Sequence, residues 1–203
     1  MANAANWRSK SNKNLLTENW KSFKDKNYYI VTVTNVNEVL KNDIIRPQRG
    51  GVIMYGKYED EIYFGLAKDS KTHELTDFGG GIKYKNDGNS IVGALREFNE
   101  ESLKIFEEIS PNEIGNVTVI YGKNDILVFL PIQNLDPIDI NSRFETRYSE
   151  HSELYSKEPE VCGIVWVNYN EFWNLVFNDN SNHILYSRVK KLISNANDIK
   201  YHL

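Results

Sequence analysis

Three glutamates, Glu97, Glu100 and Glu101, follow directly on Arg96. On a helix of 3.6 residues per turn, Glu100 falls about 60° to one side of Glu97 and Glu101 about 40° to the other. Three carboxylates within about one turn repel one another, and an isolated helix gains nothing from that arrangement. A divalent cation removes the repulsion. All-oxygen ligands suit Mg²⁺ or Mn²⁺, and Mg²⁺ keeps waters and substrate phosphates in its shell beside a few carboxylates. Upstream lies Gly79-Gly80-Gly81. A glycine turn there can adopt positive φ and bring backbone close to a ligand, so that a carbonyl or amide reaches a metal or a phosphate oxygen. Glycine turn, carboxylate-bearing helix and cation together describe a site for phosphoanhydride chemistry. The plainer alternative is a solvated acidic helix in which Arg96 pairs with Glu100 four residues on.

Other residues could serve the same chemistry. Arg46 and Arg49 flank Pro47-Gln48, and a planar guanidinium matches phosphate well. Lys68 and His73 precede the glycines, and Gly80 could meet substrate through its backbone. Trp166 and Trp173 read as core residues rather than stacking platforms. Cys162, the single cysteine, sits in the apolar run Val161 to Val165 and reads as a small buried hydrophobe. One cysteine excludes an intramolecular disulfide and a cysteine-rich zinc site.

The elements that must position these groups are legible in outline. A chain of 203 residues, 40% hydrophobic and 26% charged, fits one globular domain rather than a disordered or coiled-coil protein. A net charge of −4 argues against wrapping nucleic acid by charge, and no DNA partner is expected. No run approaches the ~20 apolar residues of a membrane span, and the polar start lacks a signal peptide's apolar core. A soluble cytoplasmic protein, with no membrane partner, is the expectation. Residues 1–27 read as an N-terminal arm with a short helix near Leu15 to Phe23, and residues 28–203 as the domain. Strands are expected at Tyr28 to Thr34, Val52 to Tyr55, Glu61 to Ala67, Val117 to Tyr121, Ile126 to Pro131 and Val161 to Val167. Helices are expected over Ser90 to Ile109, Tyr169 to Phe177 and His183 to Ser194. Leu135 to Pro159, with Pro131 and Pro137 at its start, reads as a long polar connection and a candidate lid. One α/β domain follows.

The segment from Gly81 to Glu101 resembles the Nudix box, G-x5-E-x7-R-E-U-x-E-E-x-G-U with U apolar. Gly81 matches the first glycine, and Asp87 stands where the first glutamate belongs. The spacer from Asp87 to Arg96 is one residue longer than in the pattern, and Arg96, Glu97, Phe98, Glu100 and Glu101 match the core. Leu103 and Lys104 replace the closing glycine and apolar residue, which suggests that the helix runs on. The resemblance implies a mixed sheet between helices and one to three Mg²⁺ or Mn²⁺ ions. Glu97, Glu100 and Glu101 would be ligands, with Gly81 as carbonyl donor and Arg96 orienting the glutamates. It also implies a further carboxylate from outside the box, for which Glu153, Glu158 and Glu160 are candidates and Glu160, beside a strand, is the choice. The catalytic set is then Arg96, Glu100, Glu101 and Glu160.

The implied activity is water attack at phosphorus in a nucleoside diphosphate-linked small molecule: a nucleotide, a dinucleoside polyphosphate or a nucleotide sugar. Two alternatives stand beside it. One is removal of the cap from RNA, for which the Lys-rich stretch Arg8 to Lys26 is the only candidate track. The other is a non-catalytic nucleotide-binding module on the same fold.

Overall fold

The computed structural model describes residues 28–33, 46–106, 109, 117–154, 158–178 and 183–203. The expected arm, its helix at Leu15 to Phe23 and the Arg8 to Lys26 stretch lie outside them.

Eight strands form one mixed sheet in the order β1-β6-β7-β2-β3-β4, with β5 paired to β2 and β8 to β3. They are β1 (Tyr28–Val33), β2 (Arg49–Tyr58), β3 (Glu61–Asp69), β4 (Leu75–Thr76), β5 (Phe78–Gly81), β6 (Val117–Gly122), β7 (Asp125–Pro131) and β8 (Val161–Asn168). Only β2 and β7 run parallel. The helices are α1 (Tyr84–Asp87), α2 (Ser90–Glu101), α3 (Pro137–Leu154), α4 (Tyr169–Phe177) and α5 (Ser187–Asn195), followed by a 3₁₀ turn at Asn197–Tyr201.

β2 is the organising strand. Its first half pairs with β5 and its second half with β3, while β7 covers its other edge from Arg49 to Tyr55. Alternation along β2 and β7 feeds two cores. Val52, Met54, Ile126 and Val128 face the side covered by α2 and α3 with Ile91, Leu95, Phe98, Ile140 and Phe144. Ile53, Leu127 and Phe129 face the side covered by α4 and α5 with Phe172, Leu175, Val189 and Ile193. The sheet therefore lies between two helical layers. The β2–β3 turn at Glu59 and Asp60 has positive φ at both residues, as the right-handed strand twist favours in two-residue hairpins.

Several expectations need correction. The Leu135 to Pro159 connection is mostly the 18-residue helix α3. Asp136 caps it by accepting from the Ile138 and Asp139 amides, and Pro137 occupies the first position, where its missing N–H costs nothing. Ile140 and Phe144 form its buried stripe, and Trp166 donates to Asn141 Oδ1 across to β8. Helix α2 starts at an Asn89 cap but stops at Glu101 instead of continuing to Ile109. Leu103 and Lys104 both adopt left-handed φ, 55° and 58°, so the chain turns where the box pattern has its glycine. The Lys104 N–H closes this turn on Asn99 O at 2.9 Å. Helix α5 begins at Ser187 rather than near His183. Its approach is held extended by Leu75 N–H to Ile184 O and Tyr186 N–H to Leu75 O.

Trp173 packs among Phe64, Phe172 and Phe177 on the α4 side of the core. Cys162 is half-buried rather than buried, its thiol 3.8 Å from Asp69 O. Among the described residues no helix is long and apolar enough to cross a membrane.

Candidate functional site

The triple glycine is a strand, not a turn. Gly79, Gly80 and Gly81 pair with Gly51, Gly50 and Arg49 across β5 and β2, and Gly88 is the one glycine with positive φ among the described residues. What the glycines supply is closeness. A Cβ at Gly50 would collide with Ala94 of α2, and one at Gly80 with the Glu97 carboxylate. Helix α2 therefore lies almost on the backbone of β2 and β5, and its acidic face meets the end of β5.

Arg96 gathers that face. Its Nε donates to Asp87 Oδ1 at 2.8 Å and Nη2 to Asp87 Oδ2 at 3.2 Å. Nη2 also reaches Gly81 O at 2.9 Å, while Nη1 holds Glu97 Oε1 at 2.7 Å and Glu100 Oε1 at 3.3 Å. The short helix α1, unanticipated in the sequence, presents Asp87 to this guanidinium. Asp87 is almost fully buried, which alone would raise its pKa. The hydrogen bonds from Arg96 and from the Lys83 N–H outweigh burial and hold it below the usual carboxylate range. Arg96, with Asp87, Glu97 and Glu100 around it, is held more firmly protonated than an ordinary arginine.

Glu101 points the other way, into the protein, and accepts from the Gly79 N–H at 2.6 Å. Burial pushes its pKa up to about 8, against the pull of the Gly79 hydrogen bond, and Asp77 and Glu160 add to the rise. The carbonyl of Gly79 is held by Arg49, whose Nη2 donates to Gly79 O at 2.9 Å. Arg49 also makes a two-pronged pair with Asp77, which is 2% exposed.

Glu97, Glu100 and Glu101 line one cavity of about 420 Å³ together with His151, Glu158 and Glu160. Two of the three candidates outside the box thus reach the site. Glu153 does not line it. His151 joins from α3, and its contribution was illegible while that segment read as a loop. Arg46, just before β2 begins, lies 5.4 Å over the Tyr84 ring, and neither it nor Arg49 lines the acidic cavity. Lys68 lies within β3 and His73 in the exposed turn after it, and neither lines the acidic cavity.

Among the described residues no three acidic, histidine or cysteine side chains are gathered as a ready cation cage. The donor set nevertheless fits a hard divalent cation. Arg96 takes only one oxygen each from Glu97 and Glu100, and their carboxylates with that of Glu101 are the all-oxygen donors such a cation prefers.

No protein-family model matches the sequence, and no curated protein matches it. Similar solved structures exist. The NUDIX domain of NrtR from Shewanella oneidensis, solved with ADP ribose, is 10% identical over 79% of this chain and 92% of that one, with a TM-score of 0.43. An Ap4A hydrolase from C. elegans, solved as a binary complex, is 14% identical over 78% and 100%, with a TM-score of 0.39. A NUDIX hydrolase structure from Listeria monocytogenes is 15% identical over 77% and 97%, with a TM-score of 0.40.

Proposed function

We propose that the chain is a Nudix-type pyrophosphohydrolase. It would use Mg²⁺, with Mn²⁺ as a substitute, to cut a phosphoanhydride bond in a nucleoside diphosphate-linked small molecule. The observation that carries this reading is the single cavity lined by Glu97, Glu100 and Glu101 of α2 and by Glu158 and Glu160 across from them. An idle acidic face on a surface helix gives no reason for Glu158 and Glu160, from a distant segment, to line the same cavity.

In this reading Glu97, Glu100 and Glu101 would hold the cation, with the Gly81 carbonyl as a further oxygen donor. When bound, the cation lowers the pKa of water and neutralises phosphate charge. The protein supplies position. Arg96 fixes Glu97, Glu100 and Gly81 O relative to one another through one guanidinium. The Gly79 N–H fixes Glu101, and Arg49 fixes the Gly79 peptide. Glu160, exposed in the lining of the same cavity and borne by the segment just before β8, would accept the proton of the attacking water.

Phosphate release from a panel of nucleoside di- and triphosphates, dinucleoside polyphosphates and nucleotide sugars, with Mg²⁺ and with EDTA, tests the proposal. Hydrolysis should require the cation, and Glu100→Gln should lower kcat by at least ~10²-fold with the melting temperature unchanged or raised, since Glu100 is half exposed among like charges. Full turnover in EDTA, or a Glu100→Gln variant with the parent's rate, refutes it.

A further inference from the structure

The buried stripe of α3 ends in an imidazole. Ile140 and Phe144 are buried, and the Tyr148 ring stacks on Phe144 with centroids 6.2 Å apart. At 3.6 residues per turn, His151 falls within roughly 20° of Ile140, so it continues the same stripe. It is half-buried, while Glu150, Ser152 and Glu153 around it are exposed. Leu154, on the same face one turn later, could have extended the apolar contact, yet it is 75% exposed. The last turns of α3 therefore direct an imidazole inward and leave a leucine in solvent. What the imidazole meets there is the acidic cavity, which it lines.

That cavity is rich in acceptors and poor in donors. Among the described residues that line it, Glu97, Glu100, Glu101, Glu158 and Glu160 are carboxylates and Leu103 and Pro159 are apolar, so His151 alone has a side-chain N–H to give. Arg96, which holds Glu97 and Glu100, spends every N–H of its guanidinium on Asp87, the Gly81 carbonyl and those two glutamates. A bound cation would offset the charge of its ligands and of the phosphate oxygens it touches. A diphosphate has further oxygens, and bare carboxylates repel them. An imidazole always carries at least one N–H, and a hydrogen bond to a charged oxygen is of the stronger kind.

We propose that His151 is a substrate-binding residue, its ring N–H donating to an oxygen of the nucleoside diphosphate group that the cation does not hold. The proposal rests on the hydrolase reading and adds to it a substrate contact from outside α2. It also gives α3 a task. Asn141, bonded to Trp166, and Arg143, bonded to Ile105 O, fix the helix, so the donor is carried to the cavity on a rigid element. The contact exists before and during water attack alike, so its loss raises KM and spares kcat.

The test uses the full chain with His151→Phe, which keeps a ring in the stripe and removes the N–H, and with His151→Gln, which keeps an N–H donor. His151→Leu replaces the phenylalanine variant should that one fail to melt as a folded protein. Calorimetric binding of α,β-methylene-ADP in Mg²⁺ reads the contact without turnover, because water does not cut the P–C–P bridge. Affinity should fall at least ~10-fold in His151→Phe and stay within ~3-fold of the parent in His151→Gln. Mg²⁺ alone should bind His151→Phe as tightly as the parent or more tightly. In steady state, KM for a nucleoside diphosphate-linked substrate should rise at least ~10-fold in His151→Phe with kcat within ~3-fold. Parent-like affinity and KM in His151→Phe, or an equal loss in His151→Gln, overturns the proposal and leaves the hydrolase reading standing. A Mg²⁺ affinity that falls in step with that for the analogue also overturns it, since His151 would then act at the cation. Binding that depends on His151 in a chain that hydrolyses nothing keeps the contact and loses the hydrolase. A parent that neither binds the analogue nor hydrolyses any nucleotide overturns both.

Discussion

Two arginine–aspartate pairs flank the glycine strand β5, and each arginine also binds a carbonyl of that strand. Arg49 joins Asp77 and Gly79 O, while Arg96 joins Asp87 and Gly81 O. Both aspartates are nearly inaccessible, at 2% and 3% of side-chain area. The difference lies in what else the arginine holds. Arg49 has spent its donors on the strand and its partner, whereas Arg96 extends to Glu97 and Glu100. The same chemical unit thus serves once to lock a strand crossing and once to aim carboxylates. A buried ion pair shows its purpose through its third and fourth partners.

Breaking each pair should separate the two roles. The largest effect is expected from Asp77→Ala, which strands a mostly buried guanidinium. Leaving one member of such a pair uncompensated costs about 3–5 kcal/mol. The melting temperature should fall by on the order of 10 °C. Arg96→Lys comes next. It keeps a positive charge for Asp87 but cannot fork to Glu97, Glu100 and Gly81 O together. We expect a loss of about 10²-fold in kcat/KM, or ~2.7 kcal/mol, with a smaller change in thermal stability. Should Asp77→Ala leave the melting temperature in place and Arg96→Lys leave kcat/KM in place, the distinction between the pairs collapses.

A smaller effect concerns acid. The folded-state pKa of Asp87 is depressed, so its contribution to stability is complete above the unfolded value of ~3.9 and is lost as pH falls through the folded value. Denaturant midpoints measured from pH 6 down to pH 2 should fall more steeply below pH ~4 for the parent than for Asp87→Asn. Parallel profiles would remove Asp87 from the account.

Much of this arrangement could be read from residue order, and what could not has identifiable physical causes. The Arg96 to Glu101 cluster, its helix and the long apolar strands were legible because their periodicities are strong. The Asp136-Pro137 helix start was also present, but the polar surface of α3 masked it, since only Ile140 and Phe144 are fully buried along its 18 residues. The glycines misled in the opposite sense: three in a row suggested a bend, while the packing of α2 on β5 demands a strand without side chains. Neither Arg49 as a strand lock nor His151 as a wall of the cavity could be inferred, because Asp77 lies 28 residues from Arg49 and the α2 glutamates are far from His151 in the chain. The end of α2 was misread because left-handed backbone at Leu103 and Lys104 leaves no mark when glycine is absent.

That turn supplies the smallest prediction. At Lys104, exposed and with φ of 58°, glycine should relieve left-handed crowding. Lys104→Gly should therefore stabilise the fold by about 0.5–1 kcal/mol in denaturant titration. A destabilised variant would mean that the lysine side chain contributes more than its backbone costs.

The clasp of Leu75 by residues 184–186 bears on how the protein behaves in a crowded solution. β4 is two residues long, and the outward N–H and C=O of Leu75 are taken by Ile184 O and the Tyr186 N–H. A strand this short, already paired with a later segment of the same chain, offers no template at that point on which a second molecule could add a strand. A chain cut before Ile184 would uncover the Leu75 N–H and C=O, so self-association is the failure to watch for in shortened forms.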